Sequence, residues 1–279
     1  MDVVPSRVLW PRLHLPGGAE LHRWGVSEVF VDTEPALLAD LSDLQPATRH
    51  SWRSHDRNRY LLSVPLQSAG RDNGSASTKS ICLLNTRSVA NKSHILNDLF
   101  IKNKFDFLFV TETWQQNSDF IHLNELCPVD CSVIGIPRLS GRRGGLAVLR
   151  RNLYPCKLVS SELFPSFELK MIKVGQLKPF YCILTYRPLF FSDFTDLMSS
   201  LIKFENLSLL GDFNLHIDDA GNRAAIDFLN FVESHNLIQH FNEPTHSGGH
   251  TLDLVLSLGL DVSSIHCEDM LITDHKCLF

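Results

Sequence analysis

From Ile81 onward the chain is a series of short, predominantly apolar segments that each stop on a polar residue. Ile81-Cys-Leu-Leu84 ends at Asn85, and Phe107-Leu-Phe-Val110 ends at Thr111-Glu-Thr113. Phe180–Tyr186 ends at Arg187-Pro188, and Leu207–Leu210 ends at Gly211-Asp212. Such runs are too short for buried helices, and a strand that is apolar at every position needs cover on both faces. Leu146–Leu149, the alternating Phe167, Leu169 and Met171, Leu252–Leu256, Ser263–Cys267 and Lys276–Phe279 add further strands. Helical spacing joins Ile95, Leu96, Leu99 and Phe100. It also joins Phe194, Leu197, Met198, Leu201 and Ile202, and then Ile226, Phe228, Leu229 and Val232 within Ala224–His235. Strand–helix units come first and successive strands later. That order predicts an α/β (α+β) fold of two packed mixed sheets with helices outside, not a doubly wound parallel sheet.

Residues 1–79 follow no sustained period. Pro5, Pro11, Pro16, Pro35, Pro46 and Pro65 interrupt them, and the stretch 70–80 is rich in Gly, Ser and charged residues. One short helix is expected near Glu34–Leu44. The expected division is a loosely ordered extension and linker over 1–79 and a single domain over 80–279, the latter stopping short in its last strand.

Hydrophobic residues make up 44% of the chain, enough for a substantial core. No apolar run approaches the roughly 18–20 residues that cross a bilayer. The opening Met-Asp-Val-Val-Pro lacks the basic start and apolar stretch of a secretory signal. An intracellular location is therefore expected, either nuclear or cytoplasmic. The odd number of cysteines, seven, and their placement in apolar segments read as free thiols in a reducing compartment. A net charge of −5 is unlike a protein that grips nucleic acid by bulk charge. It suits a site whose carboxylates hold a cation.

The polar residues at strand ends carry the chemistry. Packed sheets can gather strand ends at one edge, which would bring Glu112, Asp212, Asp253 and Asp274 together. Crowded carboxylates repel unless a cation or proton neutralises them. Oxygen ligands of this kind select a hard cation, Mg²⁺ or Mn²⁺. Asp253, flanked by Leu252, Leu254 and Val255, needs a partner if buried. His275 is a candidate for contacting a phosphate, with a buried carboxylate holding its ring. Each fragment alone has a bland reading: Thr111-Glu-Thr113 as a strand-end turn, Gly211-Asp-Phe-Asn214 as an Asx turn, Asp274-His275 as a surface dipeptide. Their joint occurrence at strand boundaries points to a site.

That set, in that order, resembles the endonuclease/exonuclease/phosphatase superfamily over residues 81–279. Leu84-Asn-Thr-Arg-Ser88, Thr111-Glu-Thr-Trp114, Arg143-Gly-Gly-Leu-Ala-Val148, Tyr186-Arg-Pro188, Pro244-Thr-His246 with His250-Thr-Leu-Asp-Leu-Val255, and Asp274-His-Lys276 resemble the endonuclease domain of vertebrate non-LTR (LINE-type) retrotransposons. The resemblance implies a four-layer αββα sandwich and an Mg²⁺-dependent endonuclease that nicks one strand of DNA. Glu112 would be the main metal ligand, with Asn85 and Asp274 nearby. Asp212, helped by Asn214, would deprotonate the attacking water. His275, oriented by Asp253, would contact the scissile phosphate, and Tyr186 would stabilise charge there. Many abasic-site enzymes carry an acid two residues after the Asn of the first strand; Arg87 stands there in this chain, which turns the reading away from abasic repair.

Arg142, Arg143, Arg187 and His250 are secondary candidates for DNA contact. Arg142 and Arg143 equally suit a solvated hairpin, and His246-Ser-Gly-Gly-His250 suits a tight turn. Trp114 suits packing beneath the site better than stacking on a base. Two other functions compete. One is a phosphatase or phosphodiesterase of the same superfamily acting on a lipid or nucleotide. The other is a non-catalytic remnant of a retroelement. No protein partner is readable.

Overall fold

The structure, a computed structural model, describes residues 13–14, 20–21, 62–66, 77–116, 120–137, 143–163, 167–176, 178–186, 191–201 and 203–279. The stretch expected to form a helix near Glu34–Leu44, and the candidates Arg142 and Arg187, lie outside the described residues. The elements begin with strands β1 (Leu13–His14), β2 (Glu20–Leu21), β3 (Leu62–Leu66) and β4 (Ser77–Asn85). Helix α1 (Ser93–Lys102), β5 (Phe107–Thr111), α2 (Ile121–Leu126), β6 (Cys131–Ile136), β7 (Leu146–Arg151) and β8 (Cys156–Leu163) follow. Next come β9 (Glu168–Val174), β10 (Phe180–Tyr186), α3 (Phe191–Leu201), β11 (Leu207–Asp212) and α4 (Arg223–Ser234). The described chain closes with β12 (Ile238–Gln239), β13 (Asp253–Leu258), β14 (Cys267–Glu268) and β15 (Cys277–Leu278).

Two mixed sheets stack. One has the order β12-β13-β11-β10-β9-β8; the other runs β14-β15-β4-β5-β7-β6. Within them β4–β5 and β10–β11 are parallel and the remaining pairs antiparallel. Strand β3 pairs with Ser77–Ile81 along the same edge of β4 that meets β15 at Leu83. So β4 begins inside the stretch read as linker, and β3 comes from the segment read as loosely ordered. The short pair β1–β2 forms a separate two-stranded ladder.

The apolar runs explain the layering. Ile81, Leu83, Phe107, Phe109, Leu146 and Val148 face Ile172, Val174, Cys182, Leu184, Leu210 and Val255 between the sheets. The intervening Cys82, Leu84, Leu108, Val110, Ala147 and Leu149 pack outward against α1 and α2 through Leu96, Phe100, Leu123 and Leu126. On the other side Ile183, Leu209, Leu254 and Leu256 pack against Phe194, Met198, Phe228 and Val232 of α3 and α4. Both faces of each central strand are therefore covered, which is why those strands are mostly apolar until they end, Ser208 of β11 and Lys170 of β9 being buried exceptions. The result is the expected αββα sandwich.

Several elements were missed, β6, α2 and β8 among them, and one was misplaced. Strand β8 carries Lys157, Ser160 and Ser161 at a sheet edge, so it lacks a continuous apolar signal. Strand β6 and the six-residue α2 are too short or too mixed to stand out. The expected strand Ser263–Cys267 is reduced to Cys267–Glu268, because its partner β15 reaches only far enough to pair those residues. Among the described residues, no helix is long and apolar enough to cross a membrane.

Candidate active site

Strand parity turns a set of strand ends into one site. In β4 the residues facing between the sheets are Ile81 and Leu83, so the next in that series is Asn85. The same count from Leu210 leads to Asp212, and from Val255 back to Asp253. Tyr186 continues the Phe180, Cys182, Leu184 series. The ladders place Glu168, Tyr186, Asp212 and Asp253 directly opposite one another across β9, β10, β11 and β13. One polar row therefore crosses the mouth of the sandwich, and all four of its residues are buried.

Asn85 joins the two sheets. Its amide nitrogen donates to Glu112 Oε1 at 3.1 Å and to Asp212 Oδ2 at 2.9 Å. Glu112 receives further bonds from the Tyr186 hydroxyl (2.7 Å) and the Trp114 indole nitrogen (2.8 Å). Asp212 Oδ1 accepts the backbone N–H of Asn214 at 2.8 Å, a tight Asx turn; the Asn214 side chain is exposed. His275 Nδ1 donates to Asp253 Oδ2 at 2.8 Å, with both groups buried. The structure thus brings together Asn85, Glu112, Tyr186, Asp212, Asn214, Asp253, Asp274 and His275.

The loops that present these groups are held in unusual backbone. Arg87, Ser88, Glu112, Trp114 and Asn214 all adopt positive φ, between 44° and 91°. Such residues cost of order 1–3 kcal/mol each and persist only where surroundings fix them. Here Ser88 and Val89 donate backbone N–H groups to the carbonyls of Glu112 and Thr113 (2.7 and 3.1 Å). Thr113 and Trp114 donate in turn to the carbonyls of Gly145 and Gly144 (3.1 and 2.8 Å). Gly145 sits at φ 88°, and a Cβ there would lie 2.4 Å from Thr113 Oγ1. This accounts for the Gly144-Gly145 pair as a brace under the Glu112 loop, tied down by Glu168 Oε2, which accepts the Gly145 N–H at 2.6 Å.

Electrostatics agree with the chemistry. Desolvation, then the charge of Asp253, pushes Asp212 up to about 7, against the pull of His275, the Asn214 N–H and Asn85. Burial works against a charged His275, but the hydrogen bond and charge of Asp253, with Asp212 and Asp274, outweigh it and lift the imidazole to about 9. His275 is then a cation at neutral pH with Nε2–H free of the Asp253 bond. Asp274 is partly buried, which disfavours its charge, yet bonds from His246 and Thr273 and the Arg87 guanidinium hold it below the ordinary carboxylate range.

The donor set fits a hard divalent cation. Glu112 and Asn85 offer oxygen atoms, and burial, then the charge of Asp253, raises Asp212, so the site disfavours added negative charge unless a cation or proton joins it. His246, Asp274 and His275 also offer ligand atoms within 4.8 Å of one another. Gly248 N–H donates to His246 Nδ1 at 3.0 Å, however, so the ring carries its proton on Nε2. That nitrogen donates to Asp274 Oδ2 at 3.2 Å and has no lone pair for a metal.

Linkage gives a direct check. Asp212 has its folded pKa above its unfolded value, so its contribution is fully present below about 4 and is lost as pH rises through about 7. His275, also raised, contributes fully below about 6.5, and that contribution is lost as pH rises through about 9. In chelator, both groups should lower the melting temperature from pH 5 to pH 9. Added Mg²⁺ should raise it more at pH 8 than at pH 5.5, because it competes with the proton on Asp212. Equal shifts at the two pH values would show that the cation binds elsewhere.

Sequence reasoning underrated three residues. Trp114 was assigned packing, yet it bonds Glu112. Thr245 Oγ1 accepts the N–H groups of Leu252 and Asp253, both at 3.0 Å, and its carbonyl accepts Lys276 N–H at 2.7 Å. It thereby clamps the strand of Asp253 to the segment of His275. Arg87 was read as part of the Leu84–Ser88 motif and as a departure from an acid, with no role of its own. Among the DNA-contact candidates, Arg143 adjoins the Gly144-Gly145 brace, and His250 pairs with Asp218 Oδ2 at 3.0 Å. Trp114→Phe should weaken Mg²⁺ binding about tenfold, as loss of a ligand's orienting partner does; a titration matching the parent would return Trp114 to a packing role.

The αββα sandwich is a fold this chain shares with solved structures of low sequence identity. No protein-family model and no curated protein matches the sequence. Among solved structures, the 3′ phosphatase NExo from Neisseria bound to product DNA hairpin is similar at 14% identity and a TM-score of 0.55, over 71% of this chain and 96% of that one. The AP endonuclease LMAP from Leishmania major is similar at 10% identity and a TM-score of 0.52, over 71% of this chain and 85% of that one. The endonuclease domain of TRAS1, a telomere-specific non-LTR retrotransposon, matches at 9% identity and a TM-score of 0.49, over 71% of this chain and 94% of that domain. Only the first two overlap well enough to compare folds.

Proposed function

We propose that this chain is a divalent-cation-dependent phosphodiester hydrolase, and specifically a DNA endonuclease that nicks one strand, as in retrotransposition of LINE-type elements. The observation that carries the reading is the Asn85 bridge between Glu112 and Asp212, with the His275–Asp253 pair at the same mouth. The cation, held by Glu112 with Asn85 beside it, would supply Lewis-acid charge at the departing 3′ oxygen. Asn85, Tyr186 and Trp114 each donate to Glu112, so they fix its carboxylate in one orientation. Asp212 takes the proton of the attacking water; its pKa of about 7 suits a general base at neutral pH. The His275 imidazolium, fixed through Nδ1 by Asp253, presents Nε2–H to a non-bridging phosphate oxygen.

DNA is favoured over a small phosphate ester because cationic or donor groups rim the mouth. Arg87 and His246 converge on Asp274, and Arg143 precedes the Gly144-Gly145 brace. The sequence motifs of the LINE-type branch support the same choice. Residues 80–279 are proposed as the catalytic domain, and β3 as an added edge strand. The test is conversion of supercoiled plasmid to the nicked form with Mg²⁺ and its arrest by chelator. Hydrolysis of a phosphoinositide or nucleotide with no plasmid nicking would move the substrate to the competing reading. A folded protein that hydrolyses none of these would sink both.

A further inference from the structure

Arg87 occupies a position that the mechanism above leaves unused. It follows β4 by two residues at φ 44°, and its backbone N–H is held by Asn85 Oδ1 at 3.0 Å. Its guanidinium nitrogen contacts Asp274 Oδ2. The same carboxylate oxygen accepts His246 Nε2 at 3.2 Å, and Oδ1 accepts the Thr273 hydroxyl at 3.1 Å. The carbonyl of Asp274 takes the Ser247 N–H at 2.8 Å, which fixes the residue's backbone to the His246 turn. Asp274 is therefore engaged by donors on both oxygens. The Arg87 side chain remains 43% exposed, and a guanidinium has five N–H donors. The single contact with Asp274 leaves other N–H donors of the fork for a second partner.

An exposed ion pair of this kind adds little to stability. A bulky side chain in left-handed backbone works against it. Neither feature is expected of a purely structural contact, and both place a planar, bidentate phosphate binder beside Asn85. Resting on the function proposed above, we infer that Arg87 binds a backbone phosphate of the substrate next to the scissile one, and that Asp274 is its positioning residue rather than a ligand of the cation. His246, with its proton fixed on Nε2 by Gly248, holds the other side of Asp274 and keeps that carboxylate turned toward Arg87.

The test uses the full chain with Arg87→Ala, Arg87→Lys, Asp274→Asn and the Arg87→Ala/Asp274→Asn double variant. Binding to a short DNA duplex is measured by anisotropy in Ca²⁺ over a range of salt. Melting temperature is measured with and without Mg²⁺. Arg87→Ala should weaken duplex binding about tenfold and reduce the salt slope by about one, while the Mg²⁺-induced shift stays at the parent value. Arg87→Lys should recover part of the binding. Asp274→Asn should reproduce most of the Arg87→Ala loss and keep the Mg²⁺ shift, and the double variant should bind no worse than Arg87→Ala. Loss of the Mg²⁺ shift in Asp274→Asn, with parent-like binding and salt slope in Arg87→Ala, would overturn the inference. Should the parent neither bind duplex nor cleave it, the nuclease reading fails separately. Inorganic phosphate then decides Arg87: stabilisation of the parent but not of Arg87→Ala supports the inference, and equal or absent stabilisation in both refutes it.

Discussion

Asp212→Asn should slow hydrolysis by about 10²-fold or more without unfolding the protein. The native carboxylate is buried 2.9 Å from the Asn85 amide and 2.8 Å from the Asn214 N–H. Asparagine keeps the size and one acceptor oxygen but loses the basic one. One of the two donors then goes without its partner, which costs about 1–3 kcal/mol. Against this, the substitution removes a charge that burial and Asp253 already disfavour. The two effects oppose each other, so the melting temperature in chelator should stay near the parent's and should also lose much of its fall between pH 5 and pH 7. The measurement is the initial rate of plasmid nicking at saturating Mg²⁺, paired with a thermal melt. His275→Ala should cause a comparable loss of rate, because it removes the cation aimed at the phosphate and leaves Asp253 buried without its partner. A folded Asp212→Asn protein that nicks at the parent rate would exclude Asp212 as the base.

Gly211→Ala should destabilise the fold by about 3 kcal/mol. Gly211 sits at φ 153° opposite Thr185 in the parallel ladder of β10 and β11. A Cβ there would lie 1.9 Å from the Thr185 carbonyl oxygen and 2.8 Å from its carbon. Both belong to the backbone of a central strand covered on each face, so no flexible side chain can move aside to admit the methyl. Relief would have to come from displacing β11, and the next residue along β11 is Asp212. Urea denaturation should therefore show a lower midpoint, and the variant that does fold should also lose activity. A parent-like midpoint would mean that β10 and β11 are not in this register.

Glu112 and Asp212 stood out as candidates because each follows an apolar run, Asp253 because it interrupts one, and His275 because it stands just before the last. The relation between sheets was not legible. Ile81-Cys-Leu-Leu84 is apolar at every position, so nothing in it says whether Ile81 and Leu83 or Cys82 and Leu84 face the other sheet. That parity decides whether Asn85 reaches Asp212, which is 127 positions away in the chain.

Sequence alone therefore determined the alternation of buried strands and amphipathic helices, the four-layer class, and the set of residue types at the strand ends. Those properties follow from local apolar periodicity and from the cost of burying a lone carboxylate. The tertiary structure decided the rest. It fixed the polar row Glu168–Tyr186–Asp212–Asp253 through strand register, made Trp114 and Tyr186 orienting partners of Glu112, and turned Asp274 toward Arg87 and His246. Each of these contacts depends on how one strand end or loop is set against another, and local periodicity carries no record of that.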